Sequence, residues 1–133
     1  MADSEHPNTD GVRRVFAAFN GGDARALFDV IAEDAVWRIG GTALAVARTY
    51  RGRDDIFELF RLTRRLTEGS YRSTLMWTLA DDENAVAVYR ATGRRNGRDL
   101  DIEQALLITL RAGKWAEIVA VPTDPAAFDA FWG

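Results

Sequence analysis

The sequence predicts an α+β domain, and three observations point there. Apolar residues in the first half recur at helical spacing. From Tyr71 onward they alternate with polar residues. The alternating segments are joined by connections too short to hold a helix, so neighbouring strands should run antiparallel.

Residues 1–8 read as a loose polar tail, and 9–133 as one domain. His6 falls in the tail. Thr9 or Asp10 can cap a first helix, on which Val12, Val15, Phe16 and Phe19 make one apolar face. Asn20-Gly21-Gly22 ends it. Asp23 caps a short second helix with Leu27, Phe28 and Ile31 facing inward. Asp34 to Ile39 reads as a strand closed by Gly40-Gly41, and residues 42–53 as an irregular loop. Asp54 or Asp55 then caps a longer helix, with Ile56, Phe57, Leu59, Phe60 and Leu66 inward and Arg61, Arg64 and Arg65 in water. Four strands follow, Tyr71–Leu79, Ala85–Thr92, Leu100–Leu110 and Lys114–Val121, read as an antiparallel meander with Asn96-Gly97 in one hairpin turn. Phe128, Phe131 and Trp132 form an apolar C-terminal patch.

Composition narrows the chemistry. The chain has 133 residues, 47% hydrophobic and 28% charged, an ordinary globular mix. It has no cysteine and one histidine, which argues against disulfides, thiolate metal sites and histidine-based triads, and no metal site is expected. A formal net charge of −3 gives no basic footprint for nucleic acid. Sixteen of the seventeen basic residues are Arg, a bias expected of a GC-rich bacterial genome. The N-terminus has no apolar core for a signal peptide, and no apolar run approaches the roughly 20 residues that span a membrane. The expectation is a cytoplasmic protein.

Four phrases then carry a resemblance: FAAFNGGDARALFDVIAEDAVW, TYRGRDDIFELF, LDIEQALLITLRAGKWAEI and PTDPAAFDAFWG. In order and spacing they resemble the SnoaL-like branch of the nuclear transport factor 2-like superfamily, over about residues 10–133. The resemblance implies a cone, with a strongly curved sheet wrapped around helices and one internal pocket. It implies ketosteroid isomerases, polyketide cyclases, epoxide hydrolases and non-catalytic binders as relatives. It implies no cofactor.

Carried over residue by residue, the resemblance removes chemistry. The ketosteroid isomerase base falls on Ile39, its oxyanion tyrosine on Val15 and its neutral carboxylic acid on Leu106. The epoxide hydrolase pairs fall on Trp37 and Ile39 and on Tyr89 and Ala91, and its last-strand Asp on Ala120. A histidine common after the strand Trp is Arg38 here.

In that register, alternation points Trp37, Ile39, Ala87, Tyr89, Ala91, Ile102, Gln104, Leu106, Ile108, Ile118 and Ala120 into the pocket. Tyr71, Leu75, Trp77 and Leu79 join them from the first meander strand, and Val15 and Phe19 from the first helix. Tyr89 and Gln104 are the candidate catalytic groups, donors to a developing oxyanion. Their alternative role is a core hydrogen bond. Arg48 is either a pocket-mouth cation or a solvated loop residue. Ala105, Leu107, Trp115, Val119 and Val121 should point away from the pocket as an exposed apolar strip. Relatives commonly pair through this face, which implies a homodimer. Three functions stay open. The chain is a cofactor-independent cyclase, isomerase or lyase acting on a hydrophobic small molecule, a non-catalytic binder or sensor of one, or a protein-interaction module.

Overall fold

The structure, a computed structural model, describes residues 5–133. Helix α1 (Pro7–Gly21) begins two residues before the expected domain start. His6 is not a loose residue. Its ring accepts from Asn8 N as the helix N-cap, and its other nitrogen lies 2.8 Å from Asp82. Residues 1–4 of the expected tail lie outside the described residues. Val12, Val15 and Phe16 are buried as the spacing predicts. Gly22, at φ 75°, turns the chain out of α1, a conformation that costs glycine little.

Helix α2 (Ala24–Phe28) is a single turn capped by Asp23. Phe28 is exposed, and Ile31 already belongs to β1 (Ile31–Ile39), so neither forms the inward helical face expected of them. Strand β2 (Thr49–Arg51) lies inside the stretch expected to be loop. It is short, but Tyr50 is fully buried and its hydroxyl donates to Val46 O at 2.7 Å. Helix α3 (Arg53–Leu66) starts from Gly52 without a side-chain cap. Asp55 instead accepts from the Arg51 backbone.

The remaining strands are β3 (Arg72–Ala80), β4 (Asn84–Arg95), β5 (Arg98–Arg111) and β6 (Lys114–Pro122), followed by helix α4 (Pro125–Trp132). They form one curved, open, six-stranded sheet in the order β2-β1-β6-β5-β4-β3. The four late strands make the expected antiparallel meander. The sheet as a whole is mixed, because β1 pairs parallel with β6, Trp37 opposite Ile118 and Ile39 opposite Ala120. The α+β cone is therefore present. Helices α1, α3 and α4 fill its concave side with Phe16, Leu59, Phe128 and Trp132 among the buried residues.

Two bulges correct the expected facing of two tryptophans. Leu75 lies opposite Tyr89, but Trp77 lies opposite Val88, so Met76 is an extra residue on β3. Beyond it the alternation is inverted. Trp77 is 50% exposed and Leu79 67%, both on the convex side rather than in the pocket. Likewise Thr109 lies opposite Glu117 and Leu110 opposite Trp115, leaving Ala116 extra on β6. Trp115 is thereby turned inward and is fully buried, not part of the convex strip.

Candidate functional site

The concave side of the sheet leaves a cavity of about 70 Å³. Strands β1, β4, β5 and β6 supply Trp37, Ile39, Tyr89, Gln104, Leu106 and Ala120. Val15 and Phe19 reach it from α1. These eight sit where the sequence places them. Ala91 and Ile118 do not line it; they are fully buried in the surrounding core. Trp77 is on the other side of the sheet.

Further lining residues escaped the sequence reading. Leu59, Phe60 and Thr63 come from α3, Ser73 from β3, and Phe128 and Trp132 from α4. The period-two rule does place Ser73 beside Tyr71 and Leu75, but a serine carries no apolar signal. The α4 residues needed the chain's return over the cone mouth, which local pattern does not encode. That return is held by polar contacts. Arg98 donates to Ala130 O at 2.6 Å and Arg95 to Phe131 O at 3.1 Å, while Asp129 accepts from Thr42 N at 3.2 Å.

The polar content of the cavity is small and specific. Gln104 Nε2 donates to the Tyr89 hydroxyl at 2.7 Å, from directly opposed positions on β5 and β4. Gln104 Oε1, Trp37 Nε1 and Trp115 Nε1 are buried without a partner among the described residues, and of these three side chains Gln104 and Trp37 line the cavity. Tyr71, Ser73 and Thr63 add three hydroxyl side chains to the lining, that of Thr63 donating to Phe60 O at 2.8 Å. Burial pushes the Tyr89 hydroxyl well above the ordinary tyrosine range, the neighbouring Tyr71 adds to this, and the Gln104 bond opposes it. Burial raises Tyr71 as well. Both hydroxyls are therefore neutral donors at physiological pH, not bases.

No carboxylate, histidine or lysine is among the lining residues. Among the described residues no group of acidic or histidine side chains is arranged to hold a metal. Val15, Ile39 and Leu106, the positions matched to isomerase chemistry, put hydrocarbon on the cavity wall. Arg48 is not on that wall. It pairs with Asp55 at 3.4 Å and lies 4.0 Å over the Tyr50 ring.

Comparison with known proteins agrees with this architecture. The model of the SnoaL-like domain matches residues 12–118. The chain belongs to that family. This SnoaL-like domain is 33% identical to the uncharacterized protein Rv0034 of Mycobacterium tuberculosis, over 97% of this chain and 98% of that one. It superposes on Bal32a, from a soil-derived mobile gene cassette, with a TM-score of 0.90 and 31% identity, over 95% and 96% of the two chains. TerC, co-crystallized with polyporic acid, shares the fold at a TM-score of 0.83 and 17% identity, over 96% and 98%. Among the described residues no helix is long and apolar enough to cross a membrane.

Proposed function

We propose that this SnoaL-like domain binds a hydrophobic small molecule that carries oxygen functions, and that it acts on it as a cofactor-independent cyclase, isomerase or lyase. The observation that carries the reading is the pair of unpartnered atoms, Gln104 Oε1 and Trp37 Nε1, on side chains that line a largely apolar cavity. Each buried polar atom left unpaired costs about 1–3 kcal/mol. A ligand that offers a donor to Gln104 and an acceptor to Trp37 recovers that cost. The Tyr89 O–H, polarised by the Gln104 N–H behind it, has its own proton to give to a carbonyl or enolate oxygen. A fold neighbour, TerC, was co-crystallized with a small molecule, polyporic acid, which supports a small-molecule ligand here. With no general base on the wall, the substrate must supply an acidic proton of its own.

The hydrocarbon at Val15, Ile39 and Leu106 favours a second reading, a binder or sensor without turnover. One experiment separates them. Wild-type protein is screened by thermal shift against lipophilic enolisable ketones and phenols, then Tyr89→Phe and Gln104→Leu are compared on each hit. Binding to the native state raises stability by mass action, about 2.7 kcal/mol at a hundredfold excess over Kd. Ligand stabilisation that Gln104→Leu abolishes supports the cavity reading, and turnover lost in Tyr89→Phe supports the enzyme. Stabilisation without turnover, indifferent to both substitutions, overturns the enzyme reading and favours the binder; no stabilisation by any of these ligands counts against both.

The convex face supports pairing of two copies. Two apolar rows cross four strands there, Trp77-Val88-Ala105-Val121 and Leu79-Val86-Leu107-Val119, each read along directly opposed residues. Trp77, Leu79, Leu107, Val119 and Val121 are exposed. Continuous apolar surface of this kind marks an interface, and we propose a homodimer through it.

A further inference from the structure

A second cavity lies on the outside of the helical layer. It is a groove of about 210 Å³ between the end of α1, α2 and the middle of α3. Phe19 and Phe60 line this groove and also line the internal cavity. Among the described residues these are the side chains common to the two cavities, and their rings meet edge to face at 5.1 Å. Both are half-buried. This pair of aromatic rings therefore stands where the two cavities adjoin, Phe19 also packed on Tyr71 at 5.8 Å and Phe60 on Trp37 at 5.4 Å.

The two chambers differ in size and in charge. The inner one, at about 70 Å³, is less than half the roughly 150 Å³ that accommodates benzene in a protein core. Any ligand larger than a few heavy atoms has to extend beyond it. The groove is lined by Arg61 and Arg64 and by no carboxylate. Arg61 pairs with Glu58, and Arg64 donates to Phe19 O at the end of α1. A guanidinium has five N–H donors, so both retain donors for an anion.

We propose that the inner cavity and the outer groove are one binding site divided by the Phe19–Phe60 pair, and that its ligand is an elongated hydrophobic molecule with an acidic end at Arg61 and Arg64. This rests on the reading of the inner cavity as a ligand site. The apolar body passes between the two rings. The inner end meets Gln104, Tyr89 and Trp37. The carboxylate or acidic enol stays in the groove, where solvent and two guanidiniums keep it ionised.

The test uses a matched pair of probes, 6-oxoheptanoate and 7-hydroxyheptan-2-one, whose slim methyl ketone end suits the inner cavity, measured by calorimetry on the full chain. Wild type should bind the acid about tenfold or more tighter than the alcohol, the worth of a charge-assisted bond. Arg61→Gln with Arg64→Gln should erase that preference, weakening the acid about tenfold more than the alcohol. By stopped-flow tryptophan fluorescence, Phe60→Ala should speed association of both probes, an unchanged rate counting against the divided site, and Phe60→Leu repeats the measurement if the alanine variant does not fold. Equal binding of acid and alcohol by wild type overturns this proposal. So does a preference that survives the double Arg substitution. If the alcohol then still loses affinity in Gln104→Leu, the inner cavity remains a ligand site and only the joined site fails. No binding of either probe counts against both.

Discussion

Gln104 and Tyr89 stand directly opposite each other on β5 and β4, and the 2.7 Å bond between them ties the cavity floor to both strands. Either orientation of the Gln104 amide keeps that bond, since the hydroxyl both accepts and donates. Either orientation also leaves the other end of the amide without a protein partner.

Removing both members should therefore cost less than the sum of removing each alone. Tyr89→Phe leaves the whole amide unpartnered and is expected to lose about 1–3 kcal/mol. Gln104→Leu leaves the phenol unpartnered and should lose a similar amount. The double variant should lose less than the sum, with a coupling of about 0.5–3 kcal/mol. Urea denaturation of the four proteins measures it, and strict additivity would show the bond to be energetically idle.

Alkaline pH should weaken the fold through the cavity tyrosines. Tyr71 and Tyr89 are held above the ordinary range chiefly by burial. The unfolded chain loses these protons first, from about pH 10. Above that pH the native state holds more protons, so stability falls as pH rises. The slope should approach about 1.4 kcal/mol per pH unit for each residue, with no such slope below about pH 9. Urea midpoints between pH 8 and 11 measure it, and Tyr89→Phe should flatten the fall.

The clasp on α4 is exposed to a single methyl group. Gly41 sits at φ 106°, and a Cβ there would stand 2.6 Å from Asp129 Oδ1. Gly41→Ala should cost about 1–3 kcal/mol in backbone strain and displaced contact. Hydrogen exchange should quicken in α4 more than in β5. Equal quickening everywhere would mean the loss is global and the clasp is not a separate element.

A charge in the middle of the convex rows should split the proposed pair. Leu107 is exposed between Val86 and Val119. Leu107→Lys should bring the sedimentation mass to that of one chain while the melting temperature of the cavity side is retained. A wild-type mass of one chain at every concentration would rule the pair out.

The inward set on β4 and β5 was readable because those strands alternate without interruption. Ala87, Tyr89 and Ala91 face in, and so do Ile102, Gln104, Leu106 and Ile108. The same rule failed at Trp77 and Trp115, where one extra residue, Met76 or Ala116, reverses the facing. A bulge has no fixed residue signature, so apolar tryptophans on either side of it look alike in sequence. The parallel β1–β6 pair was also hidden, since pairing between distant strands depends on the closed cone and not on any local turn. Phe19 and Phe60 each read as a core aromatic, and only their joint position between two chambers distinguishes them.

That parallel pair has a consequence for how the molecule is made. β1 is apolar, and apart from three-residue β2 its sheet partner is the last strand of the chain. The β3–β6 meander can form from neighbours in sequence, but β1 can dock only after it exists. Closing so long a loop is slow, and local hairpins precede it. Until β6 is made the nascent chain therefore carries Val36, Trp37 and Ile39 uncovered, and products truncated before β6 should be the aggregating species.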